Sequence, residues 1–190
     1  MKKLSLIGIL SAVLLVACQT QKNDNEGDVE NQNEIKVEDK NGVISKEDED
    51  FAINLAVEGM EEVELGKLAE RKGESEQVRE FGKHTAHKLR HVGHDLKRLS
   101  KKKYITLPDS LSLDNKSAKE ELEKLHGKAF DEAYMNAMVE GHKKVLACME
   151  KEDVDTKDPD IKAFTERTIP IIKEHLQMAE MTDSVARAQR

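Results

Sequence analysis

The chain contains no tryptophan, and aromatic residues make up only 3% of its 190 residues. Because strands favour aromatic and β-branched side chains, this shortage argues against a sheet protein. The sequence also has just three prolines and two cysteines, too few for a proline-rich chain or a disulfide-rich scaffold. Charged residues are abundant instead, at 36% of the total. Together with leucine and alanine, they give the composition of long α-helices.

Clustered positive charge is also missing. The net charge is −7, and both signs are interspersed along the sequence. The only basic block is Lys101-Lys102-Lys103. Proteins that bind nucleic acids carry a basic patch as an electrostatic footprint, so we expect no nucleic-acid partner.

The N-terminus has the order of an export signal. Lys2-Lys3 precede an apolar run from Leu4 to Ala17, which is too short to span a bilayer. Cys18 follows directly, as in lipoproteins whose cysteine receives a diacylglycerol and becomes the mature N-terminus. We predict a signal peptide over residues 1–17, Cys18 as the lipidation site, and a cell-envelope location, on the outer membrane and facing the periplasm or the surface. An ordinary signal peptide that happens to end at a cysteine is the alternative.

Residues 18–44 are polar and contain almost no large apolar side chains. Such a segment cannot bury enough surface to order itself, so we expect a disordered acidic linker between the lipid and a folded domain over residues 45–187. The domain would then stand off the membrane on a tether.

Helix signals divide the domain into four long helices and one short one. Ser45 with Glu47 and Asp48 is typical of an N-terminal cap, as are Ser75 and Asp158-Pro159. The predicted bounds are about 47–72, 75–102, 113–126 (ended by Gly127), 129–151 and 158–186. We predict an all-α, antiparallel four-helix bundle of ferritin-like type, with short loops and one short extra helix.

Residues spaced alternately by three and four indicate which side of each helix faces inward. The last helix has Ile161, Phe164, Thr168, Ile171, His175, Met178, Thr182 and Val185 on one face. The preceding helix has Met135, Met138, His142, Val145 and Met149. The first has Phe51, Leu55, Glu58, Glu62, Leu65 and Ala69. Three long helices therefore carry an ionisable group near mid-length on an apolar face.

Burying an isolated charge is costly, so Glu62, His142 and His175 need partners. Imidazoles and carboxylates that converge from facing helices are the usual ligands of a metal site in a bundle. We therefore predict a divalent metal (Zn, Fe or Cu) or a small ligand bound by these three residues. A purely structural cluster of buried polar groups is the alternative, as is a helix phase shifted by one position.

Three segments in order resemble the bacterial domain-of-unknown-function family 4142: residues 62–69, 130–142 and 170–176. Members of that family are exported helical bundles of ferritin-like type, often named outer-membrane proteins. The resemblance covers about residues 51–179 and implies the bundle. It also points to Glu62, His142 and His175 but implies no activity. Members often carry an acidic pair followed by His in the second helix, where this chain reads His87-Lys88-Leu89. Leu89 therefore stands where the family has His, and His87 or His91 would have to replace that side chain in a family site.

The second predicted helix carries a row of histidines at three-four-three spacing: His84, His87, His91 and His94. Its apolar residues define a different face, so we expect the row on the surface or at a flank of the helix. Neighbouring imidazoles can chelate Zn²⁺, Ni²⁺ or Cu²⁺, which makes these residues an alternative metal site. The row could equally dock on anionic surfaces, or carry no ligand at all.

Catalytic signatures are sparse. Di-iron bundles use two Glu-x-x-His motifs, whereas this chain has one, from Glu123 to His126, at the end of the short helix. Five methionines could serve a Cu(I) site or merely fill the core: Met135, Met138, Met149, Met178 and Met181. We expect a binding role rather than catalysis. The alternatives are a module that binds envelope protein partners through its surface, and a redox enzyme suggested by fold analogy alone.

Overall fold

The computed structural model of the protein describes residues 44–188. This part of the chain forms five α-helices and no strand: α1 (Lys46–Lys72), α2 (Glu76–Lys103), α3 (Leu113–Glu123), α4 (Gly127–Asp155) and α5 (Pro159–Ala188). The predicted signal peptide, Cys18 and all of the predicted linker before residue 44 lie outside the described residues. No helix among those described is long and apolar enough to cross a membrane.

The predicted helix starts are confirmed by their caps. The Ser45 hydroxyl accepts the backbone N–H of Asp48 at 3.0 Å, and the Ser75 hydroxyl accepts that of Val78 at 3.3 Å. The Asp158 carboxylate accepts the N–H of Asp160 at 2.9 Å and that of Ile161 at 3.1 Å. These bonds satisfy N–H groups that a helix start otherwise leaves without partners.

Two of the predicted bounds are wrong. Helix α3 ends at Glu123 rather than at His126, and α4 extends to Asp155. Gly127 begins α4 with a φ of 57°, a left-handed conformation that glycine adopts without the strain of a Cβ. Glycine therefore turns the chain into α4 and does not end α3.

The connections form two hairpins and one crossover. Short turns join α1 to α2 and α4 to α5, and these pairs pack side by side. Residues 104–126 instead run from one end of the bundle to the other, because Lys103 pairs with Asp158 at one end and Glu74 contacts Asp131 at the other. The prediction that all loops are short is wrong here. The crossover makes each long helix antiparallel to both of its neighbours, as in ferritin-like bundles.

The inner faces of α1 and α4 agree with the predicted stripes, whereas α5 drifts from its stripe. Ile161, Phe164, Thr168 and His175 are buried, but Val185 is 42% exposed and Ala186 is 5% exposed. A strict seven-residue repeat assumes 3.5 residues per turn, whereas an α-helix has 3.6. The face that points inward therefore shifts by about one residue over a long helix. Ile172 and Ala179 accordingly replace Ile171 and Met178 in the core.

Two apolar clusters fill the bundle, one towards each end. One cluster includes Phe81, Phe130 and Tyr134, and the other includes Phe51 and Phe164. Met135, Met138 and Met149 are fully buried among them, while Met181 is 63% exposed. The methionines therefore divide between core and surface and do not form one group. The level between the two apolar clusters is polar, and it contains the predicted site residues.

A second polar contact lies near one end of the bundle, where the carboxyl group of Glu152 hydrogen-bonds that of Asp48. Burial, this hydrogen bond and the negative charge of Asp48 raise the pKa of Glu152 to about 8. Asp48 lies in the first turn of α1. With this raised pKa, Glu152 holds a proton at neutral pH.

This proton predicts a pH-dependent stability. The folded chain holds it up to about pH 8, whereas an ordinary glutamate releases it near pH 4.5. The stabilisation by this proton is thus complete below the pKa that Glu152 has in the unfolded chain. It is lost as pH rises from there to the pKa that Glu152 has in the folded chain. We expect the wild type to lose about 2 kcal/mol more unfolding free energy between pH 5 and pH 8 than Glu152→Gln, measured by urea denaturation. Exposed Glu150→Gln is the control, and parallel curves for wild type and Glu152→Gln would contradict the assignment.

Candidate functional site

Each long helix contributes one ionisable side chain at mid-height of the bundle. Glu62 comes from α1, His84 from α2, His142 from α4 and His175 from α5. His142, His175 and Glu62 are 0%, 1% and 4% exposed, and His84 is half-buried. The structure therefore brings the three predicted core residues together and adds His84 to them. We refer to these four residues as the mid-bundle cluster.

The ring of His142 is fixed by its own helix. Its Nδ1 lies 2.9 Å from the Met138 carbonyl oxygen, which can only accept, so Nδ1 carries the proton and donates. The opposite nitrogen, Nε2, then presents a lone pair, and it is buried without a hydrogen-bond partner. A histidine held through Nδ1–H with a free Nε2 has the orientation that metal ligands commonly adopt.

Glu62 approaches the same ring from α1. Its Oε1 lies 3.2 Å from Nδ1 of His142 but forms no hydrogen bond, because the N–H points at the Met138 carbonyl. Gly141 leaves the space for this carboxyl group, since a Cβ there would lie 3.1 Å from Oε1. Glu62 therefore contacts the nitrogen opposite the free Nε2, which suits an orienting neighbour better than a direct ligand.

His175 lies between the other two histidines. Its ring centroid is 5.8 Å from that of His142 and 5.7 Å from that of His84. Nδ1 of His175 and Nε2 of His84 are also buried without a hydrogen-bond partner. Three neighbouring imidazoles thus each have one buried nitrogen that no residue among 44–188 satisfies. Such groups are rare in native interiors and call for an explanation.

Burial favours the neutral forms of Glu62, His142 and His175 at pH 7. It lowers the pKa of His142, and it lowers that of His175 to about 4, with the charges of His142, His84 and Lys88 adding to the effect. It also raises the pKa of Glu62 to about 8, helped by the charge of Glu58. Neutral imidazole is the form that binds metal ions.

Two further acids of α1 adjoin the cluster. Burial and the neighbouring carboxylates raise the pKa of Glu61 to about 7, and burial raises that of Glu58. Lys144 opposes both shifts. Tyr134 has a buried hydroxyl without a hydrogen-bond partner, and both burial and the charge of Glu62 raise its pKa. The polar level thus extends along α1 beyond the predicted Glu62.

The histidine row predicted on α2 is divided by the structure. His87, His91 and His94 are exposed, and the rings of His87 and His91 lie 4.9 Å apart. His84 is half-buried and lies against His175, so it occupies the flank of the exposed face and not the open surface. It follows the buried Phe81 by three residues, which is the sequence signal for an inward position. Glu123 and His126 are exposed, away from the mid-bundle level.

Among residues 44–188, no group of three or more histidine, cysteine or acidic residues has the spacing of an assembled metal site. The donor types nevertheless fit a borderline transition metal, because all three free nitrogens belong to imidazoles. Side-chain rotation of His84 and His175 about their χ angles would be needed to direct these nitrogens at one ion.

Two hairpins, a crossover and an ionisable group from each long helix define the class of ferritin-like helical bundles. Within that class the chain belongs to the family described as "Domain of unknown function (DUF4142)", whose pattern matches residues 36–182. This confirms the resemblance drawn from the three sequence segments.

A solved structure has a similar fold: a DUF305 fragment from Deinococcus radiodurans, with a TM-score of 0.66 and 9% sequence identity. The alignment covers 75% of this chain and 98% of the fragment. At that identity the similarity concerns the fold alone. No curated protein matches the chain.

Proposed function

We propose that the protein binds a divalent transition-metal ion through His84, His142 and His175, with Glu62 orienting His142. The observation that carries this proposal is the set of three buried imidazole nitrogens without partners around His175. Each unsatisfied buried group costs about 1–3 kcal/mol, and a shared ion would satisfy all three. Imidazole ligands suit zinc, copper and iron, and such an ion would supply Lewis acidity or redox chemistry when bound.

The test is metal binding by the full-length protein purified in detergent. We expect elemental analysis to find about one equivalent of metal, and the chelator-treated protein to rebind Zn²⁺ or Cu²⁺ with a rise in Tm. His87→Ala/His91→Ala is the control, because it removes the exposed pair and leaves the mid-bundle cluster intact. A metal-free protein whose Tm does not respond to either ion would contradict the proposal and support a purely structural cluster.

A surface role is the second candidate. The exposed His87 and His91 are four residues apart, and their rings are adjacent, so they could chelate an ion or dock on an envelope protein. Loss of the bound metal in the His87→Ala/His91→Ala control would show that the site lies on this surface. We prefer the core site because its nitrogens are buried and lack partners, whereas water can satisfy exposed histidines.

We further propose that Cys18 is lipidated and holds the bundle at the cell envelope through a polar linker. The support is the sequence order of two lysines, an apolar run and small residues before the cysteine. Cys18→Ser should abolish incorporation of labelled palmitate and shift the protein from the membrane to the soluble fraction. Palmitate labelling that persists in Cys18→Ser, or a Cys18→Ser variant that stays in the membrane fraction, would contradict lipidation.

A further inference from the structure

A cavity of about 610 Å³ opens between α1, α2 and the segment of residues 107–111. Its volume is in the range of small-molecule sites. Val145 and Ile172 reach its floor from α4 and α5. We call this space the α1–α2 groove.

Glycine holds the groove open. An added Cβ at Gly59 on α1 or at Gly93 on α2 would meet no atom within 4 Å. Glycine inside a helix costs about 1 kcal/mol relative to alanine, so packing alone does not explain these two positions. At Gly66 and Gly82 the opposite holds, since a Cβ at either would lie 2.7 Å from a backbone oxygen of the facing helix. The two helices therefore touch at one glycine pair and leave space at the other.

The walls of the groove are mainly apolar, although the buried Glu62 also lines them. They are formed for the most part by aliphatic side chains of α1, α2 and the 107–111 segment: Leu55, Val63, Leu89, Val92, Leu96, Leu107 and Leu111. A lining of this kind suits a hydrocarbon chain, which gains about 0.8 kcal/mol for each buried CH₂ group.

The rim carries positive charge that the protein does not neutralise. Arg90, His94 and Lys97 lie at the edge of the groove and are exposed. Within residues 44–188, neither Arg90 nor Lys97 forms an ion pair. Of the two rim acids, Glu64 already pairs with Lys67 at 2.6 Å and with Lys119 at 3.3 Å. Asp109 is the other acid, so the cations exceed the free acids.

We propose that the α1–α2 groove binds a single acyl chain with an anionic headgroup, the chain lying between Gly59 and Gly93 and the headgroup on Arg90 and Lys97. Size, apolar walls and unpaired rim cations all match this one class of ligand. The groove shares one lining residue, Glu62, with the mid-bundle cluster, whereas the proposed headgroup contacts are Arg90 and Lys97. A carboxylate or a phosphate would fit the rim cations equally, because both accept hydrogen bonds from arginine and lysine.

Photo-crosslinking in membranes that contain the full-length protein tests this proposal. The probes are palmitate and lysophosphatidate, each with a diazirine in the acyl chain, and mass spectrometry locates the labelled residues. We expect labelling of the groove walls on α1 and α2, and the probe that labels more strongly identifies the headgroup. Gly93→Leu should reduce the labelling to background while keeping the fold and raising Tm, because its side chain enters empty space.

The headgroup is tested by Arg90→Gln/Lys97→Gln, with Arg98→Gln on the same helix as the matched control. We expect about tenfold weaker labelling by the anionic probes in the double variant, and no change for the control. Hexadecanol with the same diazirine should label wild type and double variant equally weakly. Labelling that Gly93→Leu does not reduce, or that charge removal does not weaken, would overturn the proposal.

Discussion

His142→Ala is expected to lower the affinity of the protein for Zn²⁺ at least about 100-fold. The substitution removes the one imidazole of the mid-bundle cluster whose tautomer is fixed, by the 2.9 Å hydrogen bond to the Met138 carbonyl. His84 and His175 would remain, but two imidazoles bind a divalent ion much more weakly than three. The measurement is a competition titration of the full-length protein against a chromophoric chelator.

Two variants separate a specific effect from a general one. His126→Ala removes an exposed histidine at the turn before α4 and should leave the affinity unchanged. Glu62→Gln should cost only about tenfold, since Glu62 contacts Nδ1 of His142 rather than the free Nε2. Unchanged Zn²⁺ affinity in His142→Ala, with its helix content retained, would contradict the site. A larger loss of Zn²⁺ affinity in Glu62→Gln than in His142→Ala would indicate that the Glu62 carboxylate is a direct ligand.

Gly82→Ala is expected to destabilise the fold by about 3 kcal/mol, although alanine is the better helix former. Its Cβ would lie 2.7 Å from the Gly66 oxygen and 2.8 Å from the Ala69 Cβ, so α1 and α2 would have to separate. Both obstacles belong to the facing helix, and the backbone oxygen cannot rotate away. Thermal and urea unfolding measure the loss.

Gly93→Ala, on the same helix, is the matched control. Its Cβ meets no atom within 4 Å, so we expect a gain of up to about 1 kcal/mol from helix propensity. Both substitutions replace glycine with alanine on the same helix, yet their effects on the free energy of unfolding should have opposite signs. If Gly82→Ala were as stable as Gly93→Ala, the close helix contact would not exist in solution.

Much of the fold follows from local rules that the sequence displays. The Ser45, Ser75 and Asp158 caps act between residues two or three positions apart, so they could be read directly. The α4 stripe was correct over its whole length because its five residues span only about four turns. The α5 stripe failed at Ile171, Met178 and Val185, since a small error in period accumulates along a helix of 30 residues.

The candidate site could be predicted only in part. Glu62 and His142 were found because each lies on an apolar stripe of its own helix. The spacing along α2 places His84 with His87 and His91 on the surface or at a flank, because equal spacing cannot show where one face ends. Helix α2 packs against both α1 and α5, which widens its buried face enough to include His84.

The sequence by itself determined the helical class, most helix starts and the burial of one acid and two histidines, because these depend on composition, capping and period within single helices. Tertiary structure alone decided the crossover, the meeting of His84 with His175, and the opposite surroundings of Gly82 and Gly93. Those features depend on the distance between helices that are far apart in sequence. No pattern within one helix encodes that distance.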